Sequence, residues 1–380
     1  MRKIAIAAVG LCLLALMGPA GARVAGPGPD GVAAKNVEYV KMVSDEQLHG
    51  IGARLVGKYL FVTSVKTITI YDVSKPTDPK LVSRTYLGAV WENEDVPTNG
   101  DILVVADTRP NLLRVFDVED KTSPREIATV PDAASHTMEC LFDCTWLYGS
   151  TGLIVDLRDP AKPVLQKEKW TDVTPFKDSS YPSHDLVELK PGLLLTSSNP
   201  LLLLDARKDV LHPKIVAKGA PEDASAFIHS AMWPRNGDDS IMMSAGETNA
   251  TPRCEVGSAS FLTWDASKWK TTHSFNVLDS YNLANGTGTD GSPPANGMGC
   301  STHWFEQNPT FDDGGVMALG AYDHGTRFLH IDAAGKIKES GYYLPWASET
   351  SAVHWITDRI VYSIDYTRGI DILRYTGPLK

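Results

Sequence analysis

The chain has 380 residues, 43% of them hydrophobic and 22% charged, a balance that supplies apolar chain for a large core and excludes wholesale disorder. Acidic residues number 46 against 36 basic ones, a formal net charge of -10. No run of basic residues follows the first few positions, so a nucleic-acid partner is not expected.

Residues 1–22 read as an export signal: Arg2 and Lys3 precede an apolar run from Ile4 to Met17, and Ala20, Gly21 and Ala22 suit cleavage. The expected location is extracellular, with Cys12 leaving with the leader. A flexible segment is expected over 23–36, and a strand over Val37–Val43 opens one domain spanning 37–380. The remaining apolar runs are too short to span a bilayer, so no membrane association is expected.

From Tyr59 onward one pattern recurs: an apolar strand, a short polar turn, and a second apolar strand ending in Asp. The clear copies run over Tyr59–Lys80, Ile102–Arg125 and Trp146–Val164. Weaker ones follow at Leu193–Asp205, Ile241–Asp265, Val316–Asp332 and Ile360–Leu373, which makes seven. With an upstream strand and usually a downstream one, each unit has four short strands in roughly forty residues, the period of a β-propeller blade. The prediction is an all-β, seven-bladed β-propeller. The seventh unit runs out after three strands, and Val37–Val43 is predicted to complete it and close the ring. The aspartates ending the third strands, Asp72, Asp117, Asp156, Asp205, Asp265 and Asp332, read as caps of the following turns.

The copies IYDVSKPTDP at 70–79, VFDVEDKTSP at 115–124 and IVDLRDPAKP at 154–163 resemble the LVIVD-repeat propeller proteins. The resemblance implies the propeller fold and an extracellular or surface location; it brings no reaction and no catalytic residues.

Alignment of the units places a histidine at or just before each first strand: His49, His136, His184, His229, His303 and His354, with Glu92, and Glu94 near it, in unit two. First strands are innermost in a propeller, so these side chains are expected around the mouth of the central channel. Two readings stay open. A repeated histidine can bond the backbone of the neighbouring blade, or His136, His184, His229, His303, His354 and Glu92 can share a divalent transition metal ion, since imidazole is the commonest protein metal ligand.

Of the cysteines after the leader, Cys140 and Cys144 are expected to staple the first hairpin of unit three, and Cys254 and Cys300 to bridge units five and six. The Gly-, Asn- and Ser-rich insertions 247–260 and 279–299 mark that face as loop-rich. Turn residues on the same face, His324, Arg327, Tyr322 and Arg368, are candidate catalytic groups: a proton shuttle, two carboxylate-gripping guanidinia and a stacking ring. Nucleotide-binding, zincin and α/β-hydrolase motifs are missing. The expected protein is a monomer acting on a small polar molecule through a bound metal, or a recognition module holding a protein or glycan on its loop-rich face.

Overall fold

The computed structural model describes residues 31–43, 50–88, 90, 94–222, 226–247, 260–284, 299 and 301–380. Residues 1–22, read as an export signal, and His49, Trp91, Glu92, Cys254 and Cys300 lie outside them.

The chain forms seven small antiparallel sheets, each made almost entirely of consecutive strands, arranged as a seven-bladed β-propeller. Blade one runs from its inner strand Gly50–Val56 through Tyr59–Ser64 and Thr67–Asp72 to the outer strand Lys80–Tyr86. In blade two the three strands Ile102–Asp107, Leu112–Asp117 and Arg125–Pro131 form the sheet, and segment 94–98 takes the inner place through a Thr98–Leu103 bridge. Blades three to six follow with inner strands Met138–Leu141, Leu186–Lys190, Ile228–Met232 and Phe305–Gln307.

The seventh blade is completed as the sequence predicts. Val37–Val43 pairs antiparallel with Gly369–Tyr375 as the outermost strand of a sheet whose inner strands are Thr350–Trp355 and Ile360–Asp365. Part of the segment expected to be flexible is also ordered: Gly31–Lys35 adds a fifth strand to blade six against Ile337–Pro345, with Ala34 opposite Tyr343.

Middle strands such as Tyr59–Ser64 are buried along nearly their whole length, because each sheet is covered by a neighbour on both faces. This is why they read as continuous apolar runs and not as alternating ones. Outer strands such as Arg125–Pro131 are mostly half-buried or exposed. The cores lie between blades: Leu193, Leu203 and Leu195 of blade four pack with Met242 and Trp264 of blade five. The six aspartates do cap turns. Each accepts from the backbone N–H two residues on, as in Ser74 to Asp72 at 2.9 Å, Glu119 to Asp117 at 3.1 Å and Arg207 to Asp205 at 3.1 Å. Cys140 and Cys144 are joined by a disulfide at the first hairpin of blade three.

Candidate metal centre

The mouth of the channel is built by hydroxyls that sew the start of one inner strand to the next. Thr137, following His136, donates to the carbonyl of His184, and Ser230, following His229, donates to the carbonyl of His303 at 2.7 Å. Ser351 continues the pattern with a 2.8 Å bond to the carbonyl of Ile51. A bulge at His229, between the pairs Ile228–Gly246 and Ser230–Ala245, turns its ring toward the axis.

Four of the predicted histidines therefore converge, and their common partner is the carboxylate of Glu94. His229 Nε2 lies 3.2 Å from Glu94 Oε2, His184 Nε2 3.6 Å from the same oxygen, and His136 and His303 Nε2 lie 3.6 and 3.7 Å from Oε1. Trp304 Nε1 donates to Oε2 at 3.3 Å. The rings of His184 and His229, and of His229 and His303, have centroids 3.7 and 3.9 Å apart. Ligand atoms of Glu94, His184 and His229 lie within 4.8 Å of one another, and so do those of His229, Glu247 and His303. This His/Glu cluster could hold a metal ion.

The protonation pattern follows from burial and crowding. Burial alone would raise the Glu94 carboxyl, but the pull of His229 and His303 outweighs it and holds the group well below the usual range. Burial, reinforced by His229, pushes His184 well down, and burial with His303 nearby pushes His229 down. His303 is raised instead, because Glu94 outweighs the burial that would lower it. His184 and His229 are therefore neutral imidazoles at neutral pH. Nδ1 of His229 and Nδ1 of His184 are buried without a hydrogen-bond partner, and Nε2 of His229 and of His303 have only the loose contacts with Glu94 at 3.2 and 3.7 Å.

The backbone bond of the first sequence reading is seen at His303. His303 Nδ1 donates to the carbonyl of Ser351 in the next blade at 2.8 Å, which leaves Nε2 directed at the cluster. A backbone acceptor on one nitrogen is how a protein fixes the tautomer of a metal-binding histidine.

His354 does not join. The part of blade seven that faces the ring is Thr350-Ser351, and His354 sits four residues beyond Thr350, farther along the channel wall. Burial and the Arg54 guanidinium lower it to about 4. Of the candidate catalytic groups, only Tyr322 reaches the cluster: its ring centroid is 4.4 Å from that of His303, and its hydroxyl donates to Glu247 Oε1 at 2.7 Å. His324 is buried with Nδ1 2.6 Å from Asp323 and Nε2 3.2 Å from the carbonyl of Ala284. Arg327 donates to the carbonyl of His324 at 2.9 Å and pairs with Glu339 at 3.4 Å, and Arg368 pairs with Asp371 at 3.0 Å. Both guanidinia are held in intramolecular contacts, not presented to a ligand. Glu94 and Glu247 are the ligand-type residues that sequence reasoning left out of the metal set.

Below the cluster, a cavity of about 230 Å³ follows the axis between the inner strands. Glu94, Trp304, Arg54, Asp95, Asp185, Glu306 and His354 bring polar groups to its wall, and Leu186, Met232, Phe305 and Val353 bring apolar ones. Arg54 pairs with Glu139 at 2.8 Å. Burial, opposed by Arg54, raises Asp95 to about 7; burial and the nearby Asp95 raise Asp185 well above the usual range, and the two carboxyls hydrogen-bond each other.

Residues 54–86 match the family model described as LVIVD repeat. That match and the seven-blade ring bear out the resemblance drawn from the repeats. Among solved structures, the chain is similar to one in the "Crystal Structure of Mitotic Checkpoint Complex", at 12% identity over 98% of this chain and 99% of that chain, with a TM-score of 0.56. It is also similar to the "RRP9 WD40 repeats", at 9% identity over 90% of this chain and 97% of that one, with a TM-score of 0.59. At such identities the likeness shows the fold alone. No curated protein matches the chain in sequence.

Proposed function

Taking the chain as an LVIVD-repeat propeller, we propose that it binds a divalent transition metal ion at the channel mouth and uses it on a small polar substrate. The observation that carries this reading is that Nε2 of His184, His229 and His303 gather 3.2–3.7 Å from one buried carboxylate, where Nε2 of His229 and of His303 make no well-formed hydrogen bond. Leaving such groups unsatisfied costs about 1–3 kcal/mol each, a cost that ligation removes. An imidazole-rich donor set with a carboxylate suits zinc, copper, iron or nickel over magnesium or calcium.

Glu94, His184, His229 and His303 would hold the ion, with His136, the most exposed of the ring histidines, at the rim. When bound, the ion would supply Lewis-acid or redox chemistry. The chain's own residues bind and orient. Ser351 fixes the His303 tautomer, Trp304 fixes one Glu94 oxygen, and Tyr322 keeps its proton, because burial pushes its phenol well above the ordinary value, and so remains a donor to Glu247. We further propose that the protein acts outside the cytoplasm, on the strength of its leader-like residues 1–22.

Elemental analysis of protein purified without added chelator tests the central part. About one transition ion per chain is expected, lost in His184→Ala and His303→Ala variants that keep the wild-type circular dichroism. A wild-type protein free of transition metal even after incubation with zinc, copper or iron would overturn it. For the location, the mature N-terminus is expected near residue 23 in exported protein, and an intact Met1 would contradict that.

A further inference from the structure

The axial cavity adjoins Glu94, and its wall carries more acidic groups than basic ones. The carboxyls of Asp95, Asp185 and Glu306 face it alongside Glu94. The one guanidinium there, Arg54, is already engaged by Glu139 at 2.8 Å. Asp185 is only 3% exposed, and its Oδ1 has no hydrogen-bond partner; neither has Oδ2 of Asp95. These oxygens are acceptors held in a pocket and unused by the fold, beyond the bond between the two carboxyls themselves.

We propose that this cavity binds a small organic cation, with an ammonium group on Asp185 and Asp95 and a short aliphatic body against Leu186, Met232, Phe305 and Val353. An ammonium brings three donors and one positive charge, which the paired carboxyls can accept and the excess of acidic groups favours. A carboxylate or phosphate would set acceptors against acceptors on most of the wall, oppose the ionisation of its carboxyls, and find Arg54 occupied. The volume of about 230 Å³ compares with roughly 30 Å³ for one water in the liquid, so the pocket suits a compact amine and not a nucleotide or sugar chain. The apolar wall supplies the remaining contact, as in most small-molecule sites. The inference needs no ion at the cluster, and it would place a bound amine beside Glu94.

Isothermal titration with n-butylammonium chloride, sodium butyrate and n-butanol tests it, with metal content measured on the same samples. Butylammonium is expected to bind, butyrate and butanol to bind at least tenfold more weakly, and Asp185→Asn to weaken butylammonium at least tenfold. Should that variant misfold, Glu306→Gln on another part of the wall is expected to weaken it severalfold at pH 8, above the value of about 7 to which burial raises that carboxyl. Equal binding of butyrate or butanol, no binding of butylammonium, or full affinity in the folded variants would overturn the proposal. Protein that stays free of transition metal after incubation with zinc, copper or iron yet binds butylammonium would sink the metal reading alone.

Discussion

Replacing His229 by Leu separates a metal ligand from a structural histidine, because only for a ligand does the loss of stability depend on metal. The imidazole is fully buried, Nδ1 has no hydrogen-bond partner, and Nε2 meets Glu94 Oε2 at 3.2 Å. The unsatisfied Nδ1 costs about 1–3 kcal/mol, which a side chain of similar volume removes without a cavity, and loss of the Glu94 contact offsets that gain. In a chelator, His229→Leu is therefore expected to lie within about 2 kcal/mol of wild type. With zinc at a hundredfold excess over its dissociation constant, the wild type gains about 2.7 kcal/mol and the variant little, so the wild type then leads by about that much more. The sign with pH follows from the lowered value of His229, set by burial and by His303. Below about pH 6.5 the unfolded chain takes up a proton that the folded imidazole refuses. The metal-free wild type then loses stability that the variant keeps, and the balance shifts toward the variant as pH falls. Urea unfolding followed by tryptophan fluorescence, with chelator and with zinc at several pH values, reads all three effects. A variant destabilised by 2 kcal/mol or more in chelator, with zinc leaving the wild type unmoved, would refute the reasoning and make the ring structural.

Burial raises Glu306 to about 7, so it is neutral in the folded protein below that pH, and the stability it contributes at low pH is lost as pH rises from about 4.5 through 7; Glu306→Gln, which can keep the acceptor for the Trp355 N–H, should flatten that loss in urea titrations at pH 5 and 8. Removing residues 1–43 takes the outermost strand from blade seven and the fifth from blade six, so the ring should lose its cooperative thermal transition and self-associate on size-exclusion chromatography; an unchanged monomeric transition would contradict closure by the N-terminal strand. Asp117→Ala removes the turn bond to Glu119 and an exposed ion pair with Arg125, so it should cost about 1 kcal/mol in urea unfolding while leaving metal content unchanged.

The repeat made the fold legible because each blade states its own pattern: two apolar runs buried on both faces, then an aspartate whose carboxylate closes the turn. The closing strand was legible for a related reason, since a blade with three strands leaves an edge that only Val37–Val43 was available to cover. Gly31–Lys35 was not, because GVAAK has weak strand propensity and is ordered only by the open edge of Ile337–Pro345. At the site, the structure brings four of the histidines together and leaves His354 apart. The bulge position that holds His229 in blade five holds Ser351 in blade seven, between Thr350 and Ala352, and His354 lies three residues farther along the strand; a bulge leaves no mark on composition by which to align the two. The choice of Glu94 needed coordinates, because Glu92 and Glu94 are two residues apart and alternation puts such residues on one face. Arg327 and Arg368 carry the right chemistry for ligand binding, but Glu339 and Asp371 claim them within the fold.

Anomalous diffraction at the absorption edge of the ion found by elemental analysis tests the metal site most directly. The account predicts a single strong peak among Glu94, His184, His229 and His303, within about 2.0–2.2 Å of the ligating nitrogens. A metal-replete crystal with no peak at the channel mouth, or with its peak on the protein surface, would contradict it.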